Sequence, residues 1–131
     1  MIKLLIASFF IIAFSGSLNA QQEEYSLDAE IKFGTEVEER VIVDEAETFP
    51  EDVYRVYAWS VITGAETTTK VTHIWEHEGK VIQEIDLDVN YARFRTWSYK
   101  TMGPYFTGEW TVRVVDEDGN VLEEGSFTIQ E

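Results

Sequence analysis

No long stretch of this chain keeps the apolar spacing of a helix. Short runs rich in β-branched and aromatic residues alternate instead with turn signals. They predict strands at Leu27–Thr35, Glu38–Val43, Tyr54–Thr63, Thr67–Glu76, Lys80–Val89, Arg93–Tyr99, Gly108–Asp116 and Val121–Ile129. Pro50 and Pro104 both fall between these runs, where a missing N–H does least harm to a sheet. The spacing points to an all-β fold, a small antiparallel immunoglobulin-like β-sandwich of about seven to eight strands. Neither an internal repeat nor a low-complexity linker divides it.

Two hairpins can be read in detail. In Glu76-His77-Glu78-Gly79-Lys80, Gly79 suits the left-handed position of a three-residue loop followed by a bulge. That register sets Trp75 opposite Val81 and His73 opposite Gln83, with Trp75 on a core face beside Val81, Ile85 and Leu87. A two-residue loop would turn Trp75 outward, because a one-residue slip exchanges the faces of a strand. In the last hairpin, Trp110, Val112 and Val114 share one side and can meet Phe127 and Ile129 from the returning strand.

The N-terminus changes the picture. Lys3, the apolar stretch Leu4 to Phe14 and the small or polar residues Ser15 to Ala20 form a secretory signal, too short in its apolar part to span a membrane. The expected organisation is therefore a signal over residues 1–20 and one β-sandwich domain over 21–131, with the protein exported to the periplasm or the cell exterior. Cleavage after Ala20 leaves 111 of the 131 residues; Lys3 is the one charged residue lost, so the charge moves from −15 to −16. Nucleic acid and anionic membrane surfaces are poor partners for such a chain. With no cysteine, disulfides and thiolate chemistry are excluded, and stability must come from packing.

Candidate chemistry is sparse. His73-Ile74-Trp75-Glu76-His77 has the H-x-x-E-H spacing of certain zinc proteases. On a strand, however, that spacing separates the two histidines by about 13 Å, too far to grip one metal. Asp116, Asp118 and Asn120 open like a calcium loop, but Val121 and Phe127 stand where the loop needs glycine and glutamate, and an Asp-Gly turn explains the same residues. No phosphate-binding glycine loop, nucleophile turn or distinguishable carboxylate pair is present. The expectation is no catalytic residue, no metal and no cofactor.

The run Tyr91 to Lys100 is the exception. It concentrates aromatic and cationic side chains in an acidic protein. Read as a strand, it puts Tyr91, Arg93, Arg95, Trp97 and Tyr99 on one side and Ala92, Phe94 and Thr96 on the core side. An exposed Trp flanked by arginines can stack on a flat ligand while the guanidinium groups hold carboxylate, sulfate or phosphate. The competing reading is that Trp97 covers a sheet edge and the arginines pair with nearby carboxylates.

Val56-Tyr57-Ala58-Trp59, His73-Ile74-Trp75, Gly79-Lys80, Phe94-Arg95-Thr96-Trp97-Ser98-Tyr99-Lys100, Gly108-Glu109-Trp110 and Asp118-Gly119-Asn120-Val121-Leu122 together carry a resemblance. From about Phe49 to Phe127 the chain resembles the bacterial domain of unknown function 2914 family. The resemblance implies a compact β domain and brings no established activity with it. The expected ligand-binding residues are Arg93, Arg95, Trp97, Tyr99 and Lys100, with His73 as a rim partner. They would serve a non-catalytic binding module for an acidic saccharide or peptide. An assembly module that pairs through exposed edge strands is the alternative, and an enzyme of unrecognised type the third reading.

Overall fold

The computed structural model describes residues 27–131; the expected export signal lies outside the described residues. Among the described residues there is no helix, and the chain forms ten strands. These are β1 (Asp28–Gly34), β2 (Glu36–Glu38), β3 (Val41–Val43), β4 (Thr48–Phe49), β5 (Arg55–Thr63), β6 (Thr69–His77), β7 (Lys80–Val89), β8 (Arg93–Thr101), β9 (Gly108–Val115) and β10 (Val121–Ile129). One sheet has the order β1-β5-β8 and the facing one β4-β10-β9-β6-β7, while β2 and β3 form a separate hairpin that packs against β1 and β5. The β-sandwich is as expected. Strands β5, β6, β8, β9 and β10 take the places of B, C, E, F and G in an immunoglobulin-like arrangement. One pairing departs from the antiparallel rule: Thr48 and Phe49 of β4 run parallel to Thr128 and Ile129 of β10.

Alternation along the strands sends the large apolar side chains between the sheets. Trp75, Trp110 and Val112 have no exposed surface, and Phe33, Phe49, Phe127 and Ile129 close around them. The Trp75 and Trp110 rings meet edge to face at 6.1 Å, and Trp110 stacks on Phe127 at 5.9 Å. Such aromatic pairs add about 0.5–1.5 kcal/mol each beyond the area they bury. Antibody domains pack the strand C Trp against an inter-sheet disulfide. Here Trp75, on the corresponding strand, packs against Trp110 and Phe127 in a chain without cysteine.

The β6–β7 hairpin corrects the expected register. Its loop has two residues, Glu78 and Gly79, both at positive φ (51° and 81°), as a twist-matched hairpin turn requires. His77 pairs with Lys80 and Glu76 with Val81, and then the register shifts so that Trp75 faces Gln83. The residue passed over, Ile82, is a bulge. It reverses the slip that the shorter loop introduces, so Trp75 stays inside. Val81, expected on the core side, is 46% exposed instead.

The segment expected as one strand, Glu38–Val43, folds back on itself. Glu39 and Arg40 occupy the turn between β2 and β3 at φ 50° and 66°. Two non-glycine residues in the left-handed region cost roughly 1–3 kcal/mol each, a strain that the surrounding contacts must hold in place. The β9–β10 turn is the expected Asp-Gly turn: Asp116 Oδ1 accepts from the Asp118 and Asn120 amides at 3.0 and 2.8 Å.

Candidate functional site

Strand β8 divides cleanly by parity. Thr96 and Ser98 are buried, Arg93, Arg95 and Tyr99 are exposed, and Trp97 is half-buried between them. Strand β5 runs alongside, setting Val61 beside Arg95, Trp59 beside Trp97 and Tyr57 beside Tyr99. The two tyrosine rings lie 5.3 Å apart. Neither β5 nor β8 contains a single Asp or Glu, in a protein that has 25 of them. Among the described residues, the ion pairs are Lys32–Glu45, Arg113–Glu76 and Arg113–Glu124, so neither Arg93 nor Arg95 takes part in one. Among the described residues, local neutralisation of these two arginines by carboxylates, the competing reading, does not occur.

Two arginines that sequence reasoning did not nominate complete the surface. Arg40, held out by the strained β2–β3 turn, donates from Nη2 to the Arg95 carbonyl at 2.6 Å. Its guanidinium lies 5.2 Å from the Phe94 ring centre and 5.3 Å from that of Trp97, while its own carbonyl accepts from Trp59 Nε1 at 3.0 Å. At the opposite end, Arg55 sits 4.2 Å from the centre of the Tyr99 ring and donates from Nε to Thr101 Oγ1 at 3.2 Å. Beside this stripe runs an open groove of about 500 Å³, lined by Tyr57, Gln83, Ile85, Trp97, Ser98 and Tyr99. Gln83 of β7 bridges one end by donating to the Tyr99 carbonyl at 3.0 Å.

The remaining expected residues lie elsewhere. Tyr91 precedes β8 and packs on Phe94 at 5.9 Å instead of joining the arginine row. Ala92, expected inside, is exposed. Lys100 has the opposite parity to Arg93 and Arg95; its Nζ donates to the Thr101 carbonyl at 3.0 Å and covers the Phe106 ring at 4.3 Å. The structure therefore brings Arg93, Arg95, Trp97 and Tyr99 together and leaves Lys100 apart.

His73 lies in the core, not at a rim. Its side chain has no exposed surface, and it links the two sheets: Nε2 is 2.9 Å from Ser60 Oγ of β5 and Nδ1 is 2.7 Å from Ser98 Oγ of β8. Ser98 Oγ also accepts from Trp75 Nε1 at 2.9 Å. Burial lowers the His73 pKa from 6.5 to about 4, which keeps the ring neutral near neutral pH. The Ser98–His73 distance suits a nucleophile and its base. The rest of the arrangement does not, for Ser98 is only 4% exposed, its oxygen is already engaged by Trp75, and a serine instead of a carboxylate orients the ring. These contacts make a polar bridge across the core. The H-x-x-E-H residues lie on strand β6, and His77 Nε2 donates to the Thr107 carbonyl at 2.7 Å.

Residues 68–129 match the family model described as protein of unknown function (DUF2914). The chain resembles that family. The match runs from β6 to β10, so it includes His73, Trp75, the whole of β8 and Trp110, and begins after Val56-Tyr57-Ala58-Trp59. A search of curated proteins finds no match. DUF2914 as described carries no activity to transfer, so the functional reading rests on the β5–β8 surface.

Proposed function

We propose that this protein is an exported, non-catalytic binding module whose β5–β8 surface takes an anionic ligand, an acidic saccharide or an acidic peptide. One observation carries the reading. Among the described residues, Arg93 and Arg95 stand without carboxylate partners beside Trp97, on a strand pair that holds no acidic residue at all. In a chain of net charge −15 the default for an arginine is an acidic neighbour. An unpaired guanidinium beside an aromatic face suits a ligand that brings its own anion and a flat or apolar body. Arg40 over Trp97 and Arg55 over Tyr99 extend the same chemistry along the stripe. Tyrosine, tryptophan and arginine are also the residues most enriched where proteins bind others.

An array of acidic glycans and acidic peptides probed with the purified protein tests this. Binding is expected to at least one anionic class, weakened about tenfold or more by Arg95→Ala and by Trp97→Ala. Absence of binding to every anionic probe, or binding indifferent to both substitutions, refutes the proposal.

A further inference from the structure

The exposed edge of β8 points to a narrower class of ligand within that anion-binding reading, on which this inference rests. The sheet β1-β5-β8 stops at three strands, because β7 belongs to the facing sheet. Among the described residues nothing occupies the fourth place, next to β8, and β8 runs for nine residues without a bulge or a proline to blunt its edge. The carbonyls on that edge are nevertheless not bare. Arg40 donates to the carbonyl of Arg95 at 2.6 Å and Gln83 to that of Tyr99 at 3.0 Å. Both donors are long side chains supplying what the N–H groups of a neighbouring strand would supply. The two-residue period of a strand turns the main chain of Trp97, midway between them, to the same open side.

We propose that an extended acidic segment of a partner protein adds to β8 as a strand, in the register from Arg93 to Trp97. Gln83 closes the Tyr99 end, which leaves that register as the accessible one. An added strand satisfies the Arg95 carbonyl with a main-chain N–H and releases Arg40. Its alternate side chains then fall beside Arg93 and Arg95, the cross-strand positions where opposite charges attract. The intervening side chains turn toward Phe94 and Ile85, which are half-buried and apolar. The segment thus alternates acidic and apolar residues. A saccharide can meet the arginines, but it has no row of amides for this edge, which is why the geometry favours a polypeptide.

The test measures fluorescence anisotropy of a labelled peptide of alternating glutamate and valine titrated with the purified protein. Binding is expected, and N-methylation of the amides on the edge-facing side of the peptide is expected to weaken it about tenfold or more. The double variant Arg93→Glu/Arg95→Glu should switch preference to a lysine–valine peptide, a gain that misfolding cannot mimic. Two outcomes overturn strand addition: methylated and unmethylated peptides bind alike, or polygalacturonate oligomers bind in an Arg95-dependent way while the peptide does not. In the second case the anion-binding reading survives. If neither peptide nor saccharide binds, both readings fall.

Discussion

The two sides of strand β8 belong to different worlds. On the inner side, Ser98 is tied to His73 and Trp75, and every buried side-chain nitrogen or oxygen among the described residues has a partner. On the outer side, Arg93 and Arg95 lack, among the described residues, the carboxylate partners that the chain's acidity would lead one to expect. One side has its interactions completed within the fold. The other leaves the Arg93 and Arg95 guanidinium groups without an ion pair among the described residues, which costs little in water. On the proposed function, stability and recognition are separated by one step of the strand period, and substitutions should separate them too.

The largest effect should come from the core. Trp110→Ala removes the ring that packs on Trp75, Phe127 and His77, and loses the bond from its Nε1 to the Phe106 carbonyl. A loss of about 3–5 kcal/mol is expected, a large share of the roughly 5–15 kcal/mol by which such domains are stable. Urea unfolding followed by tryptophan fluorescence measures it. A loss under ~1 kcal/mol would mean that the aromatic cluster is not what joins the sheets.

His73 offers a sharper cut because it titrates. Its folded pKa of about 4 lies below the ordinary 6.5, so the unfolded chain binds the proton first as pH falls. The stabilisation from keeping the ring neutral is complete above pH 6.5, declines between 6.5 and about 4, and is exhausted below that. At about 1.4 kcal/mol per pKa unit, this amounts to roughly 3 kcal/mol. His73→Gln retains polar atoms but cannot titrate. It should cost about 1–3 kcal/mol at neutral pH through imperfect pairing of Ser60 and Ser98. Its stability should also fall less steeply than the native protein's across that window. Equal slopes for the two proteins would show that His73 does not sense pH.

What could be read before the fold was known follows the same division. Period-two alternation was enough to place Thr96 inside, Arg93 and Arg95 outside, and Trp75 and Trp110 in the core. It could not reveal Arg40. The turn at Glu39-Arg40 has no glycine, asparagine or proline to mark it, so Glu38–Val43 reads as one strand. The contact it makes spans 55 residues of sequence. The β6–β7 hairpin hides two compensating irregularities, a shorter loop and a bulge at Ile82, so the expected register sets Trp75 on the right face with the wrong partner. His73 reads as a rim partner and not as an inter-sheet bridge, since Ser60 and Ser98 come from two other strands.

The strained turn predicts an intermediate effect. Asparagine tolerates the left-handed region better than glutamate, and Glu39, at φ 50°, is exposed. Glu39→Asn should therefore raise stability by about 0.5–1 kcal/mol in urea unfolding while leaving Arg40 over Trp97. A decrease would mean that the glutamate side chain supports the turn.

The smallest effect on folding should accompany the largest effect on recognition. Arg95 is exposed and forms no ion pair among the described residues, so Arg95→Ala should shift the urea midpoint by no more than about 0.5 kcal/mol in free-energy terms. The Arg95 carbonyl, which Arg40 holds, belongs to the main chain and survives the substitution. The variant thereby isolates the guanidinium from the strand that carries it. A near-native unfolding curve with weakened binding of an anionic probe assigns the outer side of β8 to recognition. A large loss of stability with unchanged affinity would move Arg95 into the scaffold, and the contrast between the two sides of β8 would then be one of solvent exposure alone.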